Sequence, residues 1–117
     1  MLSYAGEIAG TEDDLLYQTA RCFPTRRGAG YRIPLPPGRY QVSLHFAEIW
    51  FRTRGQRIFD VRIEEEVIQD YEPLAAGFAT AQVKTVTVSV NDGLLDIQFV
   101  HRKDNPVISA LEIERVE

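Results

Sequence analysis

Short segments in which apolar and polar residues alternate fill the chain from Tyr31 onward, and turns separate them. Alternation with a period of two is the pattern of a strand that buries one face and exposes the other. The segment PPGRYQVSLHFAEI (36–49) opens with a turn and then puts four apolar side chains on one face: Tyr40, Val42, Leu44 and Phe46. The segment RIFDVRI (57–63) does the same with three: Phe59, Val61 and Ile63. We therefore predict successive β-strands with these residues in the core.

The segment VKTVTVSVNDGLLDIQFV (83–100) is predicted to be a β-hairpin. Its first half alternates three valines with threonine and serine: Val86, Val88 and Val90. Asn91-Asp92-Gly93 then supplies residues that tolerate the positive φ of a tight turn. Three apolar residues are expected to return on the partner strand: Leu95, Ile97 and Phe99.

The spacing of these strands indicates the fold class. Strands linked by glycine, proline and asparagine turns are typical of an all-β protein, an antiparallel sandwich or barrel. One segment, TEDDLLYQTARCF (11–23), has some helical character but is short, and we expect a turn or strand there. The chain of 117 residues contains no linker or repeat. We predict one domain over residues 1–117.

Charge and composition argue against several partners. The formal net charge is −4 with acids and bases interleaved, whereas a nucleic-acid-binding surface needs a basic stripe. The one concentrated positive stretch, residues 21–27 with Arg26 and Arg27 adjacent, is expected to be a solvated loop. No apolar run has the length of a membrane span, and the N-terminus lacks the regions of a signal peptide. We expect neither a nucleic-acid nor a membrane partner. The cellular location stays open.

Residues with catalytic or metal-binding potential form no recognisable arrangement. Two histidines without supporting cysteines do not have zinc spacing, and we interpret His45 and His101 as surface residues. The 17 acidic residues offer many chance pairs, but the sequence identifies none that faces another across a cleft. Cys22 is the only cysteine. We expect no catalytic residues, no metal and no cofactor.

Four aromatic residues do not fit a strand face: Tyr4, Tyr17, Trp50 and Phe51. Trp50 and Phe51 are neighbours, so a regular strand would point them to opposite faces. They stand where the alternation stops and arginines and a glycine follow. One interpretation is ordinary edge packing. The other is a carbohydrate platform, because flat rings cover the apolar face of a sugar while nearby polar groups bond its hydroxyls. Asp104, in the loop before the last strand, is a candidate for such a group.

Five segments resemble, in the same order, segments of the malectin domain: EDDLLYQTAR (12–21), YRIPLPPGRYQVSLHFAEIWF (31–51), GQRIFDVRI (55–63), DGLLDIQFV (92–100) and DNPVISALEI (104–113). The resemblance implies a β-sandwich of the jelly-roll, galactose-binding-like type. It also implies a non-catalytic carbohydrate-binding module whose partner is a glucose-containing oligosaccharide.

The resemblance assigns carbohydrate-binding residues position by position. The ligand-contacting aromatic pair of the family falls on Trp50 and Phe51, and the aspartate of its DNPK-like loop on Asp104. Tyr4 matches a further ligand-contacting tyrosine. A family tyrosine after the arginine of LYQTERY is replaced here by Cys22, with Phe23 next to it, so one sugar contact is missing or displaced.

The family also begins with a strand that has no counterpart here. Without that strand a sheet would have an open edge, which residues 1–10 could fill or a neighbour could cover, and we consider a homo-oligomer formed there. Two alternatives to sugar binding remain: an interaction or assembly module that kept the fold and lost the sugar, and a glycoside hydrolase fragment.

Overall fold

The computed structural model describes residues 2–24 and 29–116, so Arg26 and Arg27 of the positive stretch lie outside the described residues. In chain order, the elements are β1 (Leu2–Ser3), α1 (Asp14–Tyr17), β2 (Thr19–Cys22), β3 (Gly30–Pro34), β4 (Gly38–Phe46), β5 (Ile58–Ile63), β6 (Glu66–Tyr71), a 3₁₀ turn (Pro73–Ala76), β7 (Gln82–Val90), β8 (Leu94–Lys103), β9 (Val107–Ile108) and β10 (Ala110–Arg115). None of the helices within these residues has the length and apolarity to cross a membrane.

The strands form antiparallel sheets, which confirms the predicted all-β sandwich. One sheet has four strands in the order β3-β8-β5-β6, and a second has three in the order β10-β4-β7. A smaller sheet, β1-β2-β9, joins the start of the chain to the strand before β10. The segment at 11–23 contains the single-turn helix α1 and strand β2.

Alternating residues of the two larger sheets build the core. Val42, Leu44 and Phe46 of β4 are completely buried, as are Phe59, Val61 and Ile63 of β5. Aromatic rings interlock between the sheets: the centroids of Phe46 and Tyr71 lie 4.7 Å apart and those of Phe46 and Phe59 5.9 Å apart. Ring pairs at these separations contribute about 0.5–1.5 kcal/mol beyond the area they bury.

The predicted hairpin over residues 83–100 is wrong in its pairing, although both of its strands exist. Strand β7 pairs with β4, whereas β8 pairs with β3 and β5 in the other sheet. The turn at Gly93, whose φ is +79°, therefore carries the chain from one sheet to the other. Both strands present an apolar face to the same core from opposite sides, and alternation cannot distinguish that arrangement from a hairpin.

The two histidines are buried, so their interpretation as surface residues is wrong. His45 and His101 are each 8% exposed. The carboxylate of Glu112 accepts from Nε2 of His45, and the Tyr17 hydroxyl lies 2.6 Å from its Nδ1. Nε2 of His101 donates to the Phe23 carbonyl over 2.7 Å. His45 is on the outer face of β4, where Tyr17 of α1 and Glu112 of β10 contact its ring.

Burial also changes the acidity of Tyr17. Desolvation raises the pKa of its phenol, and the nearby carboxylates of Glu112 and Asp13 raise it further. The hydroxyl therefore keeps its proton and can donate to His45. This Tyr17–His45–Glu112 chain fastens the helix that precedes β2 to the second sheet.

Candidate functional site

Strand β4 ends at Phe46, and residues 47–57 form a loop before β5. This segment, the aromatic loop, carries Trp50 and Phe51 out of the sheet and so frees them from the alternation of a strand. Trp50 is 64% exposed and Phe51 is half-buried. The loop lies at the end of the sandwich where β4 finishes, β5 begins and β8 finishes.

A buried carboxylate organises the base of the aromatic loop. Glu48 is 1% exposed, and its Oε2 accepts from the backbone N–H groups of Trp50 and Phe51 over 3.2 and 3.3 Å. Its backbone carbonyl accepts from the Ala79 N–H over 2.7 Å. The backbone of the aromatic pair is thus attached to the interior, while the Trp50 side chain remains in water.

A second carboxylate holds the tip of the loop. Glu72 accepts from Nε of Arg54 over 2.6 Å and from the Gly55 N–H. Burial by itself would raise the pKa of Glu72, but the hydrogen bonds from Gly55 and Arg54 outweigh it, so the pKa is lowered. Glu72 therefore stays charged well into the acidic range.

Arg57 joins the aromatic loop to the loop that carries Asp104. Its side chain is 2% exposed, and its Nε donates to Oε1 of Glu48 over 2.7 Å. Nη1 donates to the Asn105 carbonyl and lies 3.5 Å from Oδ2 of Asp104. The guanidinium carbon is 4.9 Å from the centre of the Phe51 ring, a cation–π distance.

Asp104 lies between β8 and β9 with its carboxylate partly in solvent. Its φ is +54°, a left-handed conformation that aspartate tolerates better than most residues. Oδ2 accepts from the Asn105 N–H over 2.8 Å, and the side chain is 43% exposed. The carboxylate therefore keeps acceptor capacity toward solvent while Arg57 approaches it from inside.

Tyr4 reaches the aromatic loop from its other side, through Phe78. The rings of Tyr4 and Phe78 meet edge to face with centroids 5.2 Å apart, and the Arg52 guanidinium lies 3.8 Å over the Phe78 ring. The Tyr4 phenol lies against Gly6: a Cβ at that position would be 2.4 Å from the hydroxyl. Gly6 is what allows the ring to lie there.

The four predicted site residues are thus connected through residues that the sequence analysis did not single out. Glu48 links Trp50 to Phe51, and Arg57 links Phe51 to Asp104. Across residues 2–24 and 29–116, no ring, ion-pair or hydrogen-bond contact joins Tyr4 directly to the other three. A signal for the connecting residues was present: an acid and an arginine flank the aromatic pair at the two ends of its loop.

The substitution at Cys22 leaves the neighbouring phenylalanine in the core. Cys22 is opposite Val107 in the β2–β9 pair, close to the Asp104 loop. Phe23 is 5% exposed and stacks on Phe99 at 4.6 Å with the planes 17° apart. Phe23 therefore packs in the core and presents no exposed ring at the surface.

The candidate site is a rim formed by loops. A cavity of about 570 Å³ lies over β3 and β8, lined by residues such as Tyr31, Arg32 and Gln98, and it includes none of the four predicted site residues. No group of three His, Cys, Asp or Glu side chains in the described part of the chain is placed to hold a metal ion.

The fold is an antiparallel sandwich that presents an aromatic loop and a carboxylate-bearing loop at one end. The family model of the malectin domain matches residues 2–111. The chain belongs to the malectin domain family, which is a family of carbohydrate-binding modules.

Individual relatives agree with this assignment. The chain is 36% identical to Malectin-A of Xenopus laevis and 34% identical to human Malectin, each over 90 residues that are 74% of this chain and 32% and 30% of those proteins. Among solved structures, a β-glucuronidase of Bacteroides uniformis aligns with a TM-score of 0.86 and 26% identity, over 98% of this chain and 13% of that one. The chain thus spans about a third of the malectins that it matches.

Proposed function

We propose that this chain is a non-catalytic module that binds a glucose-type oligosaccharide at the rim formed by Trp50, Phe51 and Asp104, with Tyr4 as a further wall. The proposal rests on one observation, the way in which Trp50 is held at the surface. Its backbone is bonded to a buried carboxylate, yet the residue is 64% exposed. An aromatic ring held in water on an ordered loop is suited to stack on the apolar face of a sugar ring.

The polar half of the rim suits the same ligand. Asp104 offers a carboxylate to sugar hydroxyls, and Arg57 holds it from inside. Membership of the malectin family supports sugar as the ligand class. The glucose type rests on the resemblance of the aromatic pair and the DNP loop to their counterparts in the family.

The proposal is tested by titrating the wild type and Trp50→Ala with maltose, nigerose and a non-glucose disaccharide. NMR or calorimetry measures the binding. Removing a central aromatic anchor costs about 2 kcal/mol or more, which is roughly 30-fold in Kd. Because Trp50 is largely exposed, the free energy of unfolding of the variant should lie within about 0.5 kcal/mol of the wild-type value. Val67→Ala is the matched control, since Val67 is exposed (51%) and lies at the far end of β6.

The outcomes separate the candidate functions. Saturable binding that Trp50→Ala abolishes, without a hydrolysis product, supports the glycan-binding module. Release of monosaccharide would instead support a hydrolase. Absence of binding at millimolar sugar would favour the interaction module, for which Cys22 is the specific observation, because one aromatic wall is missing and Phe23 does not supply it.

We also propose that two copies associate through β7. Within the described residues this nine-residue strand has a neighbour on one side only, β4, and it exposes Val83 (47%). Antiparallel pairing of two such edges would extend the sheet. Lys84 of β7 lies 5.5 Å from the centre of the Tyr71 ring, on the face opposite to Val83, whereas a lysine at Val83 itself would oppose the pairing. Sedimentation should detect a dimer that Val83→Lys dissociates. A monomer mass for the wild type at high concentration would refute the association.

A further inference from the structure

The ion pair of Glu48 and Arg57 is buried almost completely, with side chains 1% and 2% exposed. A buried ion pair is a weak way to stabilise a fold, because the cost of removing two charges from water offsets much of their attraction. Apolar residues of similar volume often serve stability as well or better. The position of this pair therefore calls for a role other than stability.

The contacts of the pair point to that role. Besides Arg57, Glu48 bonds the backbone N–H groups of Trp50 and Phe51, the two residues of the aromatic rim. Besides Glu48, Arg57 bonds the Asn105 carbonyl, approaches the Asp104 carboxylate and lies against the Phe51 ring. Apart from the ion pair itself, the side-chain contacts that Glu48 and Arg57 make within the described residues are with the two loops of the rim.

We propose that Arg57 is the positioning residue of the site, and that it sets the aromatic loop and the Asp104 loop in one relative geometry before the ligand arrives. The inference rests on the proposed function and adds a physical device to it. The planar guanidinium with its several N–H donors can bond Glu48 through Nε and the Asp104 loop through Nη1 at the same time. A lysine ammonium is a point charge and can retain only one of these arrangements.

This difference between arginine and lysine provides the central variant. Removing Arg57 outright would leave the Glu48 charge buried and unpaired, which destabilises a protein strongly. Arg57→Lys keeps a cation beside Glu48 and removes the reach to Asn105 and Asp104. The double variant Glu48→Gln/Arg57→Gln removes both charges and so avoids an orphaned one. Arg115→Lys is the matched control, because Arg115 bonds Tyr40 and Pro37 at the opposite end of β4.

The first readout needs no ligand. Amide hydrogen exchange at Trp50, Phe51 and Asn105 should become about tenfold faster or more in Arg57→Lys, while the amides of β4 and β5 retain their protection. The indole signal of Trp50, the only tryptophan, should shift in the NMR spectrum. The control should change none of these signals. A purely structural role would loosen the core strands together with the loops.

The second readout is sugar affinity. Arg57→Lys should bind the sugar that the wild type binds about tenfold more weakly, or roughly 1.4 kcal/mol, and the double variant should bind as weakly or more so. Unchanged loop exchange, or a folded Arg57→Lys that binds within twofold of the wild type, would overturn the inference. A wild type that binds no sugar while Arg57→Lys still loosens both loops would refute the proposed function and leave the positioning role intact.

Discussion

Replacing Glu72 by glutamine tests how the tip of the aromatic loop is held. In the wild type the carboxylate accepts from the Gly55 N–H and from Arg54, and its side chain is only 9% exposed. Glutamine retains one acceptor oxygen and loses the charge. The Arg54 side chain is 67% exposed, so solvent screens its ion pair with Glu72 and that pair contributes about 0–1 kcal/mol. The bond from Gly55 to a charged acceptor is worth about 1.5 kcal/mol.

We therefore expect Glu72→Gln to lower the free energy of unfolding by about 1–2 kcal/mol at neutral pH, and the melting temperature by roughly 4–8 °C. The sign of the pH dependence follows from the lowered pKa. A carboxylate whose pKa is lower in the folded state stabilises the fold fully above its ordinary value of 4.5. That contribution is lost as the pH falls through the folded-state pKa.

Urea denaturation of the wild type and the variant at a series of pH values measures this difference. The difference in the free energy of unfolding between wild type and variant should be constant above pH 4.5 and should shrink below it. Asp60, whose pKa the hydrogen bonds from Arg102 lower, destabilises both proteins in acid by the same amount and cancels in the comparison. Glu65→Gln, at an exposed turn, is the matched control. If the difference in unfolding free energy persists unchanged in acid, the charge of Glu72 is not its cause.

Three further substitutions test the frame that carries the site. Gly30→Ala should cost roughly 3 kcal/mol or more in urea denaturation, because a Cβ there would lie 2.0 Å from the Ile97 carbonyl oxygen at a φ of +150°. Gly55 has a φ of +85° and no atom within 4 Å of an added Cβ, so Gly55→Ala should cost only about 1–2 kcal/mol of backbone strain. Equal losses of unfolding free energy in the two variants would refute the clash at Gly30. Tyr17→Phe should lower the melting temperature by roughly 4–8 °C, because Nδ1 of the buried His45 loses its donor. An unchanged melting temperature together with an unchanged His45 imidazole signal by NMR would contradict that role.

Much of the fold follows from local pattern. Strand periodicity identified the buried residues of β4 and β5, since a half-buried strand must alternate whatever its partners are. The break in alternation at Trp50 and Phe51 indicated that the strand ends there or that one ring lies in water, because two adjacent rings cannot share one face of a strand. The same reasoning singled out Trp50 and Phe51 as candidates for a binding rim, and the resemblance to malectin domains added Asp104 and Tyr4.

Tertiary structure decided what local pattern left open. Alternation is identical for a strand that pairs with its neighbour in sequence and for one that crosses to the opposite sheet, so β7 and β8 were paired wrongly. His45 lies on the polar face of its strand and is buried where Tyr17 of α1 and Glu112 of β10 contact its ring. The role of Arg57 depends on an ion pair with a residue nine positions away and a bond to a loop 48 positions away. Periodicity reports which face a side chain takes, whereas the partner on that face is set by how distant segments pack together.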